Sequence, residues 1–193
     1  MHQKIEPYNI SEKYKYQWIA PERTGSRKVS EILCFFGFTN TGKSVFSANE
    51  HAYTHLVAFD EKYQDYKLIC NARNPYAKTV AIFKNIYTPE SRNGNKYDFK
   101  KFVLEDLKQG KRIDMVQRPI LNRKADYTIR LEYMTEDIKK IPFILEKFTD
   151  KQIEALCYHE RPLFPWEEFY DQETKDAVYG YTSHLFEMWG YEK

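Results

Sequence analysis

Three short stretches carry residues whose types and spacing could hold a phosphate-like anion: ERTGSRK (22–28), ARNPYAK (72–78) and GFTNTGKS (37–44). In the first, Gly25 lets the backbone approach a ligand closely, and the first N–H groups of a following helix point outward without partners. Arg23, Arg27 and Lys28 add charge there, and Thr24 and Ser26 add hydroxyl donors. A solvated basic turn that caps a helix explains the same residues. In the second stretch Arg73 stands at the end of an apolar run, where a guanidinium can grip a phosphate through two parallel hydrogen bonds while Asn74 adds donors. Its plain alternative is an arginine paired with a surface carboxylate. The third stretch spells G-x-x-x-x-G-K-[ST] from Gly37 to Ser44 without a mismatch. That pattern cradles phosphate only where a strand feeds its first glycine and a helix leaves from its lysine.

Proton transfer near neutral pH would fall most naturally to a histidine. The chain has five: His2, His51, His55, His159 and His184. His184 follows Ser183 without any nucleophile motif, which favours a packing role. Cys157-Tyr158-His159 is too short and isolated for a metal site, so no metal is implied. Three cysteines far apart build no disulfide framework and read as reduced thiols.

The elements that must position these residues follow from periodicity. YKYQWIAP (14–21) reads as a strand running into the ERTGS turn. In RKVSEILCFFGF, Val29, Ile32, Leu33 and Phe36 fall at i, i+3, i+4 and i+7, and Gly37 stands where a helix-ending glycine would. By that pattern the first glycine of GFTNTGKS ends a helix. ANEHAYTHLVAFDEKYQ (48–64) is compatible with a weaker helix. YKLICNAR (66–73) reads as a strand, and NPYAKTVAIFKNIY (74–87) as a helix with Pro75 in its first turn and Val80, Phe83 and Tyr87 on one face. DFKKFVLEDLKQ (98–109) reads as a helix using Phe102 and Leu107, and ADYTIRLEYM (125–134) as a strand with Ile129 and Leu131 on one side. TEDIKKIPFILEKF, TDKQIEALCYH and DQETKDAVYGYTSHLFEMWGY follow as helices, the first two opening on Thr135 and Thr149.

Strands alternating with helices predict an α/β fold with a mainly parallel central sheet flanked by helices, and a ligand crevice at the carboxyl ends of the strands. A length of 193 residues, 42% of them hydrophobic, predicts one domain over 1–193, with residues 1–14 a candidate peripheral arm. Charged residues nearly cancel to +2, which argues against a nucleic-acid binder and makes any anion site local. The absence of an apolar leader or span predicts a soluble, cytoplasmic protein with no membrane partner. Oligomeric state is open. The 16 tyrosines and 13 phenylalanines could line a sugar- or phenol-binding cleft, though core positions account for most of them.

At this point the residues resemble a known family. WIAPERTGSRKVSEILCFFGF is similar to the 5′-phosphosulfate loop and following helix of sulfotransferases that use 3′-phosphoadenosine 5′-phosphosulfate (PAPS), usually P-K-T-G-S/T-T-S. ICNARNPYAKTVAIFKN resembles the family's 3′-phosphate motif, R-N-P-Y-D-R-x-x-S-x-Y. Weaker likenesses continue in order through DMVQRPIL, DYTIRLEYMTEDIKKI and VYGYTSHLFEMWGY, so that residues 15 to 191 are covered. The likeness is to the small carbohydrate-type members. It implies a sulfotransferase-like architecture related to the P-loop kinases, PAPS as donor with adenosine 3′,5′-bisphosphate as product, and a hydroxyl acceptor such as a glycan or small metabolite. It implies that Arg23 contacts the phosphosulfate and its bridging oxygen, that Thr24, Gly25 and Ser26 bind its oxygens with Arg27 and Lys28 beside them, and that Arg73 binds the 3′-phosphate. The segment HAYTHLVAFDE resembles the family's base-bearing H-x-T-x-x-E, with His55 as the base and Glu50 and His51 as rivals. A surface or core histidine remains the alternative for His55.

Three positions depart from the family pattern: lysine becomes Arg23, the threonine after the loop becomes Arg27, and the serine that joins the 3′-phosphate contact becomes Ala81. They motivate a second reading, a scaffold that has lost catalysis and binds a nucleotide or a partner. A third is a P-loop nucleotide hydrolase or kinase built on Gly37–Ser44.

Overall fold

A computed structural model of the chain describes residues 10–38, 61–87, 98–117, 124–158 and 165–193. The strands are β1 (Ile10–Ser11), β2 (Tyr16–Ile19), β3 (Lys67–Ala72) and β4 (Tyr127–Arg130). The α-helices are α1 (Ser26–Leu33), α2 (Pro75–Tyr87), α3 (Phe99–Lys101), α4 (Ile113–Gln117), α5 (Met134–Lys139), α6 (Pro142–Leu145), α7 (Asp150–Cys157) and α8 (Gln172–Trp189). These fall into two compact units, Met1–Ala72 with Leu121–Glu160, and Arg73–Ile120 with Arg161–Lys193.

The first unit is α/β. Its sheet has the order β1-β2-β3-β4 and is mixed: β2–β3 and β3–β4 are parallel, while β1 runs antiparallel to β2. Trp18 pairs with Ile69 and Asn71 with Ile129, so these four side chains share one face. Val29, Ile32, Leu33 and Phe36, spaced as one helix stripe, bury against that face together with Ile138, Phe143, Ile144 and Ile153. The stretch 1–14 is not all arm: Ile10 and Ser11 are buried as an edge strand, and Ser11 Oγ donates to the Phe36 carbonyl at 2.8 Å. Two residues are too few to show a period, so no pattern could announce β1.

Two local expectations change. The strand read through 125–134 stops at Arg130, because the Asp137 carboxylate accepts the Arg130 N–H at 3.0 Å and takes that amide out of the ladder. Leu131–Tyr133 then form a 3-10 turn, and α5 begins at Met134 with Tyr133 in the cap position, two residues ahead of the predicted Thr135 cap. The single helix expected over 135–148 is two, because Pro142 has no N–H to donate and holds Ile141 in an extended conformation, φ −84° and ψ 113°. Thr149, by contrast, caps α7 as the sequence indicates, in a reciprocal capping box with Gln152.

Gln17, on the face of β2 opposite Trp18, is fully buried, and among the described residues neither end of its amide has a hydrogen-bond partner. Each buried polar atom left without a partner costs about 1–3 kcal/mol. Gln17→Met, similar in shape and apolar, is therefore expected to raise the thermal midpoint by several degrees in a calorimetric scan; an unchanged or lower midpoint would show that the amide is satisfied.

The second unit is helical. Val80 and Phe83 of α2 pack with Phe102, Leu107, Val178 and Phe186, and α3 runs on as a π-helix over Phe102–Leu107. Asp171 caps α8 through the Thr174 N–H. Lys78, on the inner side of α2, is fully buried: its Nζ donates to the Val116 carbonyl at 3.0 Å and lies 5.5 Å from the centre of the Trp189 ring. Periodicity alone did not mark it as a core residue.

Candidate anion-binding site

β2 delivers the chain into Pro21-Glu22-Arg23-Thr24-Gly25, and α1 begins at Ser26. The backbone alternates in hand along this turn. Arg23 has φ +62° and Gly25 φ +80°, both left-handed, and they flank Thr24, which is not. Successive residues of opposite hand point their N–H groups into one concavity, a nest that suits an oxyanion. The N–H groups of Thr24, Gly25 and Ser26 find no acceptor among the described residues, and the Gly25 carbonyl accepts from Lys28 and Val29 to start the helix. Gly25 has no side chain with which to cap α1. The concavity thus joins the positive end of a helix dipole.

The side chains of the turn divide into two kinds. Thr24 is buried, and its hydroxyl donates to the Pro21 carbonyl at 2.6 Å, so its contribution to a ligand comes from its main chain. Arg23 and Arg27 are exposed. Although Arg23 is exposed at its surface, the protein packed around its guanidinium pulls its pKa below the ordinary value, and the neighbouring Glu22 carboxylate opposes that shift. A left-handed arginine costs about 1 kcal/mol relative to a relaxed backbone, strain of the kind found at functional turns. Lys28 turns along the helix to Glu31 at 3.6 Å.

Two further residues belong to this site that the sequence reading missed. Asn71, the last residue but one of β3, is fully buried; its Oδ1 accepts from Trp18 Nε1 at 2.8 Å, and its Nδ2 donates to the Thr24 carbonyl at 3.3 Å. The available signal was an amide inside an otherwise apolar strand, on the face that carries Ile69. Leu131 lies directly under the turn. A Cβ placed on Gly25 would stand 2.7 Å from Leu131 Cδ1 and 3.2 Å from Met134 Cε.

Arg73 follows the last residue of β3, and Asn74 caps α2 with its Oδ1, accepting from the Tyr76 N–H at 2.9 Å and the Ala77 N–H at 3.3 Å. Asn74 thus serves the helix with its oxygen. In the same unit a cleft of about 410 Å³ is lined by Asn74, Tyr76, Trp166, Gln172 and Lys175 among others, with Tyr76 and Trp166 stacked at 5.3 Å. Ala81 lies half-buried on α2.

Just before GFTNTGKS, Cys34–Phe36 form a 3-10 turn continuing α1, and Gly37, at φ +71°, ends it as a left-handed cap. The strand that a phosphate loop requires before its first glycine is replaced by helix; residues 39–44 lie outside the described residues. His55 and its rivals Glu50 and His51 also lie outside them. His184 is exposed, its Nε2 3.1 Å from the Gln117 carbonyl. Among the described residues no three His, Cys, Asp or Glu side chains converge as metal ligands, and no helix is long and apolar enough to cross a membrane. Comparison of the chain with protein-family models, with curated proteins and with solved structures gives no match.

Proposed function

We propose that the chain is a sulfotransferase that moves a sulfuryl group from PAPS to a hydroxyl acceptor, a glycan or a small metabolite. One observation carries the reading: the alternating hand of Arg23-Thr24-Gly25 at the start of α1, which builds an oxyanion nest in the segment that resembles the family's phosphosulfate loop. The donor, when bound, supplies the sulfuryl group. The N–H groups of Gly25 and Ser26 hold its oxygens, and the Arg23 guanidinium neutralises the charge that gathers on the departing phosphate. Arg73 is the residue that the resemblance assigns to the 3′-phosphate. His55 is the residue it assigns to the acceptor's proton, and in-line transfer requires that base beside the attacking oxygen.

Ligand that binds only the native state must raise apparent stability, by about 2.7 kcal/mol at a hundredfold excess over Kd. Adenosine 3′,5′-bisphosphate at millimolar concentration is expected to raise the thermal midpoint by several degrees, and ATP with Mg²⁺ to do much less. Arg73→Ala is expected to remove most of the bisphosphate shift. No shift with the bisphosphate sinks the reading. Ala81 and Arg27 favour a second one, a binding protein without turnover, which predicts the shift but no transfer of labelled sulfonate to any acceptor in a broad panel of hydroxyl compounds.

A further inference from the structure

We infer that Asn71 is a positioning residue for the anion nest, setting the direction of the Gly25 N–H. The Asn71 side chain has no freedom of its own. The Trp18 indole N–H can only donate, so the amide oxygen must face it, which leaves the NH₂ group for the Thr24 carbonyl. The peptide that joins Thr24 to Gly25 is one rigid plane, and in a trans peptide the C=O and N–H point in opposite directions. Drawing the Thr24 oxygen inward to Asn71 therefore turns the Gly25 N–H outward, into the concavity. The Thr24 hydroxyl, tied to the Pro21 carbonyl, holds the other side of the same residue. Three strictly buried groups, Trp18, Asn71 and Thr24, thus fix one donor at the surface. Without Asn71 the plane is free to rotate, and a left-handed glycine resists that rotation less than any other residue.

The identity of the ligand rests on the sulfotransferase reading; the geometry does not, and the experiment separates them. Asn71→Leu keeps the strand apolar and removes the donor. Trp18→Phe keeps an aromatic ring in the core, at the cost of a small cavity, and releases the amide, so that one of the two variants remains informative if the other folds poorly. Binding is measured for adenosine 3′,5′-bisphosphate and for adenosine 3′-monophosphate, which lacks the group expected at the nest. The loss of one well-placed hydrogen bond predicts bisphosphate binding weakened about fivefold to tenfold in Asn71→Leu and about twofold to threefold in Trp18→Phe. The monophosphate is expected to bind all three proteins alike. Equal weakening of both ligands would mean a general structural role and overturn the inference, as would no change in either. In parallel, inorganic sulfate is titrated while the Gly25 amide resonance is followed. A saturable shift in the wild type that is lost in Asn71→Leu supports the inference even if the bisphosphate does not bind, an outcome that removes the donor assignment alone. A Gly25 amide indifferent to sulfate in the wild type, or equally responsive in the variant, overturns it.

Discussion

Gly25→Ala is expected to lower stability by about 2–4 kcal/mol, to drop the thermal midpoint by about 5–15 °C, and to abolish anion binding at the turn. Two costs add. At φ +80° an L-residue places its Cβ against the neighbouring carbonyl, worth about 1–2 kcal/mol. The new methyl also meets Leu131 Cδ1 at 2.7 Å, and Leu131 is itself buried in the core, so relief by rotation displaces other groups. The double variant Gly25→Ala, Leu131→Ala separates the terms. It should recover part of the overpacking cost in the double-mutant cycle while leaving the backbone cost in place. Anion binding should stay lost in both, because the hand of residue 25, more than the space around it, aims the N–H groups. Urea unfolding and sulfate titration of the four proteins measure the two effects; a single variant that keeps both its stability and its sulfate response would contradict the geometry of the turn.

The parts of this molecule that were legible in the sequence are those governed by local rules. Val29, Ile32, Leu33 and Phe36 announce a helix by spacing, and Gly37 announces its end, so that a helix precedes GFTNTGKS while a strand precedes ERTGSRK. Tyr16–Ile19 and Lys67–Ala72 were readable as strands for the same reason, as was the cap at Thr149. What escaped depends on partners distant in sequence. Asn71 looks like an interruption of an apolar strand until Trp18 and Thr24 are brought beside it across the sheet. The end of β4 depends on a carboxylate seven residues further on, and the left-handed turn at Arg23, a residue with no propensity for it, depends on the closure of the whole loop. The parallel pairings of β2, β3 and β4 follow from alternation of strands and helices; the antiparallel edge at Ile10–Ser11 obeys no such rule.

Asp137 ties these levels together, and its removal has the second large expected effect. Its side chain is only 2% exposed and accepts from the Arg130 N–H at 3.0 Å, from Arg130 Nε at 2.8 Å and Nη2 at 3.0 Å, and from Lys140 Nζ at 2.6 Å. Asp137→Ala removes the carboxylate that accepts from the Arg130 amide, from its half-buried guanidinium and from Lys140, and should cost about 3–4 kcal/mol. The effect should carry to the nest, because Leu131 and Met134, the floor beneath Gly25, sit on the connection that this carboxylate holds in place. Burial by itself would raise the Asp137 pKa, but the hydrogen bonds from Arg130 and Lys140 outweigh it and the pKa is lowered. A depressed folded pKa means that the stabilisation is fully present above the unfolded carboxylate value, about 3.9, and is lost as pH falls through the lower folded value. The stability difference between wild type and Asp137→Asn, measured by urea unfolding, should therefore be constant above about pH 5 and shrink as pH falls below about 4. Sulfate affinity at the turn should weaken over the same acid range in the wild type and not in the variant, which has already lost the clamp. A difference in stability that persists undiminished at the acid end would show that shape, and not charge, is what Asp137 contributes.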